Sequence, residues 1–225
     1  MSDTIVKRPY RSPLRAAQAE ATRQRILDAG LELFAERGYP ATSVTQIAAA
    51  AGVSPETIYA SVGSKRGIID ALLAQIDTEA VEERVVALVT ERGGTPEAAL
   101  GVAAELSATF WARHGTLVRV LRNGVADPEI GEAWVERQAA RRGLLHRLMA
   151  RWPAGVLRDG VDLEQAADIA WAMTSDELYG LFVELRGWSF EAFVAWEREA
   201  LVRELLAETG TPPRQPRPRP ARPAP

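Results

Sequence analysis

The segment SVTQIAAAAGVSPETIYASVGSKR at residues 43–66 restricts the fold more than any other part of the chain. Ser43 and Ser54 can each cap a short helix, Gly52 can end the first helix, and Pro55 suits the first turn of the second. Both helices repeat apolar residues at helical spacing, but the second also carries Thr, Tyr, Ala and Ser. Two short helices joined by a tight glycine turn form a helix-turn-helix. Because the second helix has so few core residues, we expect it to act outside the core.

The remainder of the chain also has helical periodicity. A helix is predicted over 17–37, and another begins after Ser64 and runs to about Leu88. Further helices are predicted at 96–113, 115–123, 128–151, 162–186 and 189–207. No run of useful length alternates as a β-strand does. The fold class is therefore all-α, with an N-terminal three-helix helix-turn-helix domain, a larger helical-bundle C-terminal domain, and about nine helices.

Charge divides the chain into parts. Residues 1–15 are predicted to be a flexible basic arm, followed by the helix-turn-helix domain at 16–70 and the larger domain at 71–209. A Pro/Arg-rich tail at 210–225 is predicted to be disordered. Residues 1–70 carry a net charge of +2, residues 71–209 carry −9, and the tail carries +4. A basic head on an acidic body is typical of a module that faces DNA.

Composition excludes several kinds of protein. The chain lacks cysteine, which fits a reducing cytoplasm, its first twenty residues lack the apolar stretch of a signal peptide, and no apolar run is long enough to span a membrane. We therefore expect a soluble, cytoplasmic protein without a membrane partner. No phosphate-binding glycine loop or Glu-x-x-His pair is present, and the only histidines are His114 and His146. Neither an enzyme, nor a metal site, nor a cofactor is expected. A lipid or drug carrier would leave the helix-turn-helix unexplained.

The segment from about residue 20 to residue 72 resembles the DNA-binding domain of the TetR family of transcriptional repressors. The resemblance is carried by the ILDAGLELF pattern, by the Gly-Tyr after the first helix, and by SVTQIA, AGVS and TIY, with Lys65 six residues after the Tyr. It implies a homodimer whose two helix-turn-helices bind a palindromic operator, and a C-terminal domain that dimerises and holds a small effector. Where the family often has an aromatic-rich run, this chain has Ala60-Ser61-Val62, which predicts weaker anchoring to the DNA backbone.

The resemblance assigns DNA contacts to eight residues of the helix-turn-helix domain. These are Ser43, Thr45, Glu56, Thr57, Tyr59, Ala60, Ser61 and Lys65. Thr45, Glu56 and Thr57 are assigned to base edges. Tyr59 is assigned to a phosphate, with Ser43, Ser61 and Lys65 as further phosphate candidates. Arg8, Arg11 and Arg15 of the arm can reach a minor groove or remain solvated.

The C-terminal domain holds the other predicted sites. All six tryptophans lie beyond residue 110, and helix 162–186 is apolar on more than one face. Candidate ligand-binding residues are Phe110, Trp111, His114, Leu121, Trp134, Trp171, Thr174 and Ser175. Candidate dimer-interface residues are Tyr179, Phe182, Val183, Arg186, Phe193 and Val194. Each aromatic residue can equally be ordinary core. The expected function is a repressor released from its operator by a small, largely apolar ligand, with an activator or a binder of many sites as alternatives.

Overall fold

A computed structural model describes residues 13–76 and 81–207 of the chain. Within those ranges the protein is all-α, as the sequence predicts, and a single isolated β-bridge joins Leu157 to Leu206. The helices are α1 Pro13–Arg37, α2 Val44–Ala51, α3 Pro55–Val62, α4 Lys65–Ala74, α5 Val81–Glu91, α6 Pro96–Asn123, α7 Pro128–Met149, α8 Leu163–Met173, α9 Asp176–Tyr179, a π-helical segment Gly180–Leu185, and α10 Phe190–Leu205. Most of the predicted arm and the whole predicted tail lie outside the described residues.

Helix boundaries differ from the prediction in four places. The first helix begins at Pro13, so the last residues assigned to the arm, including Arg15, are helical. The helix expected to run to Leu88 ends at Ala74, and a separate helix α5 follows. The two helices expected at 96–113 and 115–123 form one continuous helix α6. The helix expected at 162–186 is divided into α8, α9 and the π-helical segment.

The structure shows what happens at two of these places. Gly115 lies buried within α6, where a Cβ would lie 3.2 Å from Nη1 of Arg119 and 3.9 Å from Oε1 of Glu184. At the end of α8 the Thr174 hydroxyl donates to the Ala170 carbonyl at 2.7 Å, and Ser175 then caps α9. The apolar run is thereby broken at residues whose side chains compete with the helix for backbone partners.

One core joins the N-terminal helices to the C-terminal helices. Ile26, Phe34, Ile47, Ile58 and Ile68 of α1 to α4 are all buried. They belong to one apolar cluster that also contains Leu117 and Leu121 of α6 and Ile130 of α7. Two further clusters fill the C-terminal part between α6, α8 and α10 and beside the π-helical segment. The helix-turn-helix packs on α1 and α4, and α1 in turn packs on α6 of the C-terminal part.

No helix among the described residues is both long enough and apolar enough to cross a membrane.

Candidate functional site

The helix-turn-helix is fixed by caps that its own sequence supplies. Ser43 accepts from the backbone N–H of Gln46, whose side chain in turn accepts from the Ser43 N–H at 2.8 Å, a complete capping box. Gly52 ends α2 in the left-handed region, at φ 66°, where an L-residue would be strained. Ser54 then caps α3, with Pro55 in its first turn. Local chemistry alone thus sets the turn between the two helices.

Helix α3 has one buried side and one open side. Ile58 is fully buried, whereas the neighbouring Tyr59 is 56% exposed and its ring lies on the surface. Glu56 and Ala60 are exposed, and Thr57 and Ser61 are half-buried. Thr45 of α2 is exposed as well. The structure therefore leaves most of the predicted DNA contacts on the solvent side of the two short helices.

The first turn of α3 is held by hydroxyl groups. The Thr57 and Ser54 hydroxyls lie 3.2 Å apart and hydrogen-bond to each other. A hydrogen bond from Ser54 and one from the backbone lower the pKa of Glu56, so its carboxylate is ionised at neutral pH. A negative charge in the first turn also suits the helix dipole, which is the alternative explanation for this residue.

Arg23 of α1 makes a contact with α3 that the sequence did not predict. Its Nη1 donates to the Ser61 carbonyl at 2.9 Å, so the guanidinium holds the last turn of α3 against α1. Nothing in the sequence distinguishes this arginine from the solvated charges along α1. Ser61 is thereby positioned through its backbone, while its side chain remains half-buried.

Lys65 points inward. Its Nζ donates to the carbonyls of Tyr39 at 2.8 Å and Thr42 at 3.1 Å, and it lies 4.2 Å from the centre of the Tyr39 ring. The ammonium group therefore holds the α1–α2 turn to the start of α4. This geometry argues against the prediction that Lys65 binds a phosphate, because two of its three donors already have protein partners.

We expect Lys65→Met to lower the free energy of unfolding by about 2 kcal/mol, because two carbonyls lose a charged donor. The measurement is chemical denaturation followed by circular dichroism. Arg66→Met is the control, since its ion pair with Asp70 is at the surface and should contribute less than about 1 kcal/mol. If Lys65→Met leaves the stability unchanged but weakens DNA binding, Lys65 contacts a phosphate as the sequence predicted.

The predicted ligand-binding residues do not all line a single site. Phe110, Trp111 and His114 lie together, with the Phe110 ring 4.8 Å from that of Trp111 and 5.0 Å from that of His114. Burial lowers the pKa of His114, helped by the charge of Arg113, so the imidazole is neutral at pH 7. Trp134 is half-buried and packs against the same aromatic group.

The other predicted ligand-binding residues pack in the core, cap a helix or hydrogen-bond to neighbouring helices. Leu121 is fully buried in the core shared with the N-terminal helices, which gives it a packing role, and its assignment to a ligand pocket stays a prediction. Ser175 caps α9. Trp111 donates from Nε1 to the Thr174 carbonyl at 2.9 Å, and Trp171 donates to Gln138 Oε1 at 3.0 Å. Trp111, Trp171 and Thr174 therefore meet where α8 gives way to α9.

Two charged residues complete this region, and sequence reasoning missed both. Arg141 of α7 donates to the Trp171 carbonyl at 2.6 Å and to the carbonyl and hydroxyl of Thr174 at 3.1 and 2.9 Å. Glu197 of α10 is fully buried, and its Oε2 lies 3.4 Å from the Ser107 hydroxyl. Burial raises the pKa of Glu197 to about 8 and lowers that of Arg141 to about 10. We call the following residues the inner polar cluster: Ser107, Trp111, Gln138, Arg141, Trp171, Thr174 and Glu197.

The predicted dimer residues are divided between the core and the surface. Tyr179 and Phe193 are buried within the subunit, where their rings meet edge to face at 5.5 Å, a position that favours core packing over contact with a partner. Phe182, Val183 and Val194 are half-buried, and Arg186 is exposed. The apolar side chains that do reach the surface here are ones the prediction omitted: Leu181 at 51%, Leu185 at 72% and Trp188 at 38% exposed. We call these three residues the outer leucine face.

Two surface cavities lie near the junction of the N-terminal and C-terminal parts. The larger, about 490 Å³, is lined by α1 and α6, including Phe34, Tyr39 and Arg119. The smaller, about 290 Å³, is lined by charged residues of α4 and α7. Neither cavity is lined by a predicted ligand residue. Within the described part of the chain, no group of three or more His, Asp or Glu residues is placed to hold a metal ion.

Comparison with known proteins shows that the chain is similar to regulators of transcription. The sequence model for "Bacterial regulatory proteins, tetR family" matches residues 26–72. The chain is 28% identical to the HTH-type transcriptional regulator UidR of Escherichia coli (strain K12) over 176 residues, covering 75% of this chain and 83% of UidR. It is 44% identical to the uncharacterized HTH-type transcriptional regulator YvkB of Bacillus subtilis (strain 168) over 54 residues. That second match covers 24% of this chain and only 29% of YvkB.

A solved structure extends the likeness over most of the fold. The crystal structure of NalD, the secondary repressor of the MexAB-OprM multidrug efflux pump in Pseudomonas aeruginosa, superimposes with a TM-score of 0.67 at 22% identity. The superposition covers 86% of this chain and 100% of NalD. At this level of identity the likeness concerns the fold alone.

Proposed function

Because the chain belongs to the TetR family of bacterial regulatory proteins, and is therefore a DNA-binding transcriptional regulator, we propose that it is a homodimeric repressor released from a palindromic operator by a small, largely apolar ligand. The observation that carries the proposal is the division of α3, in which Ile58 is fully buried while the adjacent Tyr59 is 56% exposed. A helix that commits one side to the core and leaves a polar side open can enter a major groove.

Within this proposal, the open side of the helix-turn-helix reads DNA. Thr45, Glu56 and Thr57 contact base edges, and Ala60 allows close approach to the groove. Ser43, Tyr59 and Ser61 contact the phosphates on either side. Since Lys65 is turned inward, backbone anchoring would depend on Tyr59, on the helix N-termini, and on Arg8, Arg11 and Arg15.

The outer leucine face supports dimerisation. Leu181 and Leu185 lie one turn apart on the π-helical segment, and both are more than half exposed. Apolar side chains grouped in this way mark an interaction surface. Phe182, Val183, Arg186 and Val194 border this surface and would complete the interface with the same residues of a second copy.

Effector binding would act by population shift. A ligand held between α6, α7, α8 and α10 would favour a dimer whose two α3 helices no longer match major grooves about 34–36 Å apart. Trp111, Trp171 and Thr174 of the inner polar cluster, with Phe110, His114 and Trp134 beside it, are the ligand contacts in this proposal. The N-terminal helices share a core with α6 and α7. Movement of α6 and α7 would therefore be transmitted to the helix-turn-helix.

The direct test is selection from a random-sequence DNA library. The purified chain is mixed with duplexes at moderate salt, and the retained DNA is sequenced. A palindromic motif whose binding weakens steeply as salt rises would support the proposal, because phosphate contacts release counterions. No enrichment over the input DNA, from a folded and dimeric protein, would contradict it.

Two substitutions separate the two kinds of contact. Tyr59→Phe should weaken binding to every sequence alike, by about fivefold, because one hydrogen bond to phosphate is lost. Thr57→Ala should instead change the preference at one base pair of each half-site. Both are measured by titrating the selected operator and its single-base variants, with exposed Thr90→Ala on α5 as the control. If Tyr59→Phe and Thr57→Ala only unfold the protein, neither side chain faces DNA.

A further inference from the structure

The inner polar cluster contains two buried atoms without a partner. Within the described residues, Nε of Arg141 and Oε1 of Glu197 form no hydrogen bond. Buried polar groups are nearly always paired, and leaving one unpaired is costly. The two atoms belong to helices α7 and α10, and each charge shifts the pKa of the other residue. Arg141 and Trp111 of α6 both donate to the Thr174 carbonyl, and Glu197 contacts Ser107, which lies one helical turn before Trp111. The two side chains therefore approach the same stretch of α6, and they form no direct ion pair.

Ser107 pairs with only one of the two carboxyl oxygens of Glu197. Its hydroxyl lies 3.0 Å from the Ala104 carbonyl and donates to Oε2 of Glu197 at 3.4 Å. Burial raises the pKa of Glu197 to about 8, although the hydrogen bond from Ser107 lowers it. The raised pKa favours a neutral carboxyl at pH 7, and Oε1, which has no partner among the described residues, is open to accept a hydrogen bond.

Arg141 supplies the opposite group. Its two terminal nitrogens are occupied by Trp171 and Thr174, and its guanidinium carbon lies 5.7 and 5.5 Å from the ring centres of Trp111 and Trp171. The remaining Nε–H is a donor without an acceptor. The cluster thus offers one free donor and one free acceptor, surrounded by apolar and aromatic side chains.

We propose that Arg141 Nε and Glu197 Oε1 form the polar end of the effector site, and that the effector presents to them a neutral group that both accepts and donates a hydrogen bond, such as a carboxamide or a hydroxyl. The apolar body of the effector lies against Trp111 and Phe110. This inference rests on the proposed ligand-responsive function and specifies the chemical class of the ligand.

Charge excludes the two alternatives. An organic cation would be placed beside the guanidinium of Arg141, which is buried and has no ion-pair partner among the described residues. A carboxylate would find one donor at Nε but would face the carbonyl oxygen of Glu197. A neutral group that can both donate and accept satisfies both atoms without adding charge to a site of low polarity.

Arg141 also connects this site to the dimer surface. The carbonyls that it holds, those of Trp171 and Thr174, lie where α8 ends and α9 begins. Four residues of α9 lead from that break directly into the π-helical segment that carries Leu181 and Leu185. A ligand that accepts a hydrogen bond from Nε of Arg141 therefore acts on the backbone that leads to the outer leucine face.

The test compares three probes that share one apolar body. Calorimetry of the full chain without DNA measures the binding of 1-naphthaleneacetamide, which is neutral, of 1-naphthaleneacetate, and of 2-(1-naphthyl)ethylamine, which is a cation. The amide should bind at least about tenfold more tightly than either charged probe, because only the amide pairs both free atoms. An equal or higher affinity for a charged probe, or no binding of the amide up to its solubility limit, would overturn the proposal.

Variants of Glu197 provide a second test. Glu197→Gln keeps a carbonyl oxygen and should bind the amide within about threefold of the unmodified chain. Glu197→Leu should bind it about tenfold more weakly, yet unfold at a higher temperature, since an unsatisfied buried carboxyl is removed. Glu199→Leu, on the exposed side of α10, is the control. A folded Glu197→Leu protein with undiminished amide binding would overturn the proposal, and if that variant does not fold, the three probes decide.

Because these measurements contain no DNA, they separate this inference from the proposed function. Amide binding by a protein that selects no DNA sequence would contradict the repressor proposal alone. Selection of an operator by a protein that fails the probe test would contradict only the assigned ligand class.

Discussion

Replacing both Leu181 and Leu185 by glutamate is expected to convert the proposed dimer into a monomer and to lower operator affinity by at least about 100-fold. Two reading heads on one palindrome bind far more tightly than one, since the second binding event is intramolecular. Four carboxylates facing one another across a twofold interface would repel, and the apolar contact would be lost. Both leucines are more than half exposed in the single subunit, so neither change should disturb the core.

The measurements are sedimentation equilibrium for the assembly state and titration with the selected operator. Val135→Glu is the matched control, because Val135 is an equally exposed apolar residue, 66% exposed, on a different helix, α7. Circular dichroism should show unchanged helix content in both variants. A double variant that stays dimeric and binds its operator as before would place the interface elsewhere on the molecule.

Gly67→Ala should lower the free energy of unfolding of the helix-turn-helix by about 3 kcal/mol, the largest stability effect that we expect from a single added carbon. An ideal Cβ at this position would lie 1.8 Å from the Val62 carbonyl oxygen. That oxygen belongs to the backbone and cannot move like the end of a flexible side chain. The turn between α3 and α4 would have to open, and the Ser64 cap on the Gly67 N–H, at 2.9 Å, would be disturbed.

Hydrogen exchange at the amides of α3 and α4 measures this effect locally, and operator affinity should fall in parallel. Gly101→Ala is the control, since its Cβ would meet only the flexible Arg198 side chain at 3.4 Å, and alanine favours a helix interior by about 1 kcal/mol. If Gly67→Ala leaves the exchange of α3 unchanged, the close approach of α4 to Val62 does not hold in solution.

The sequence was sufficient for the helix-turn-helix because its signals are local. Ser43, Gly52, Ser54 and Pro55 act on backbone groups within three or four residues, and α2 and the start of α3 lie where these residues place them. By contrast, the break at Thr174 depends on the indole of Trp111 and the guanidinium of Arg141, which approach from distant parts of the chain. No local pattern carries that information.

The candidate sites in the C-terminal part were harder to predict for a related reason. The stretch from Tyr179 to Phe193 has apolar residues on more than one face, so sequence alone cannot say which side chains turn inward. Packing of α9 and α10 against α6 buries Tyr179 and Phe193 and leaves Leu181 and Leu185 outside. Glu197 and Arg141 look like ordinary solvated helix charges until the fold brings them into one interior.

The placement of Trp111 gives the protein a built-in optical reporter. All six tryptophans lie beyond residue 110, so indole fluorescence arises entirely from the C-terminal part, and the reading head contributes none. Trp111 is 5% exposed and donates to the carbonyl at the α8–α9 break, whereas Trp188 is 38% exposed beside the outer leucine face. Emission from the first should be blue-shifted and poorly quenched by iodide, and emission from the second accessible to it. Indole fluorescence of the unlabelled chain would thus report on changes in the C-terminal part alone, even while DNA is present.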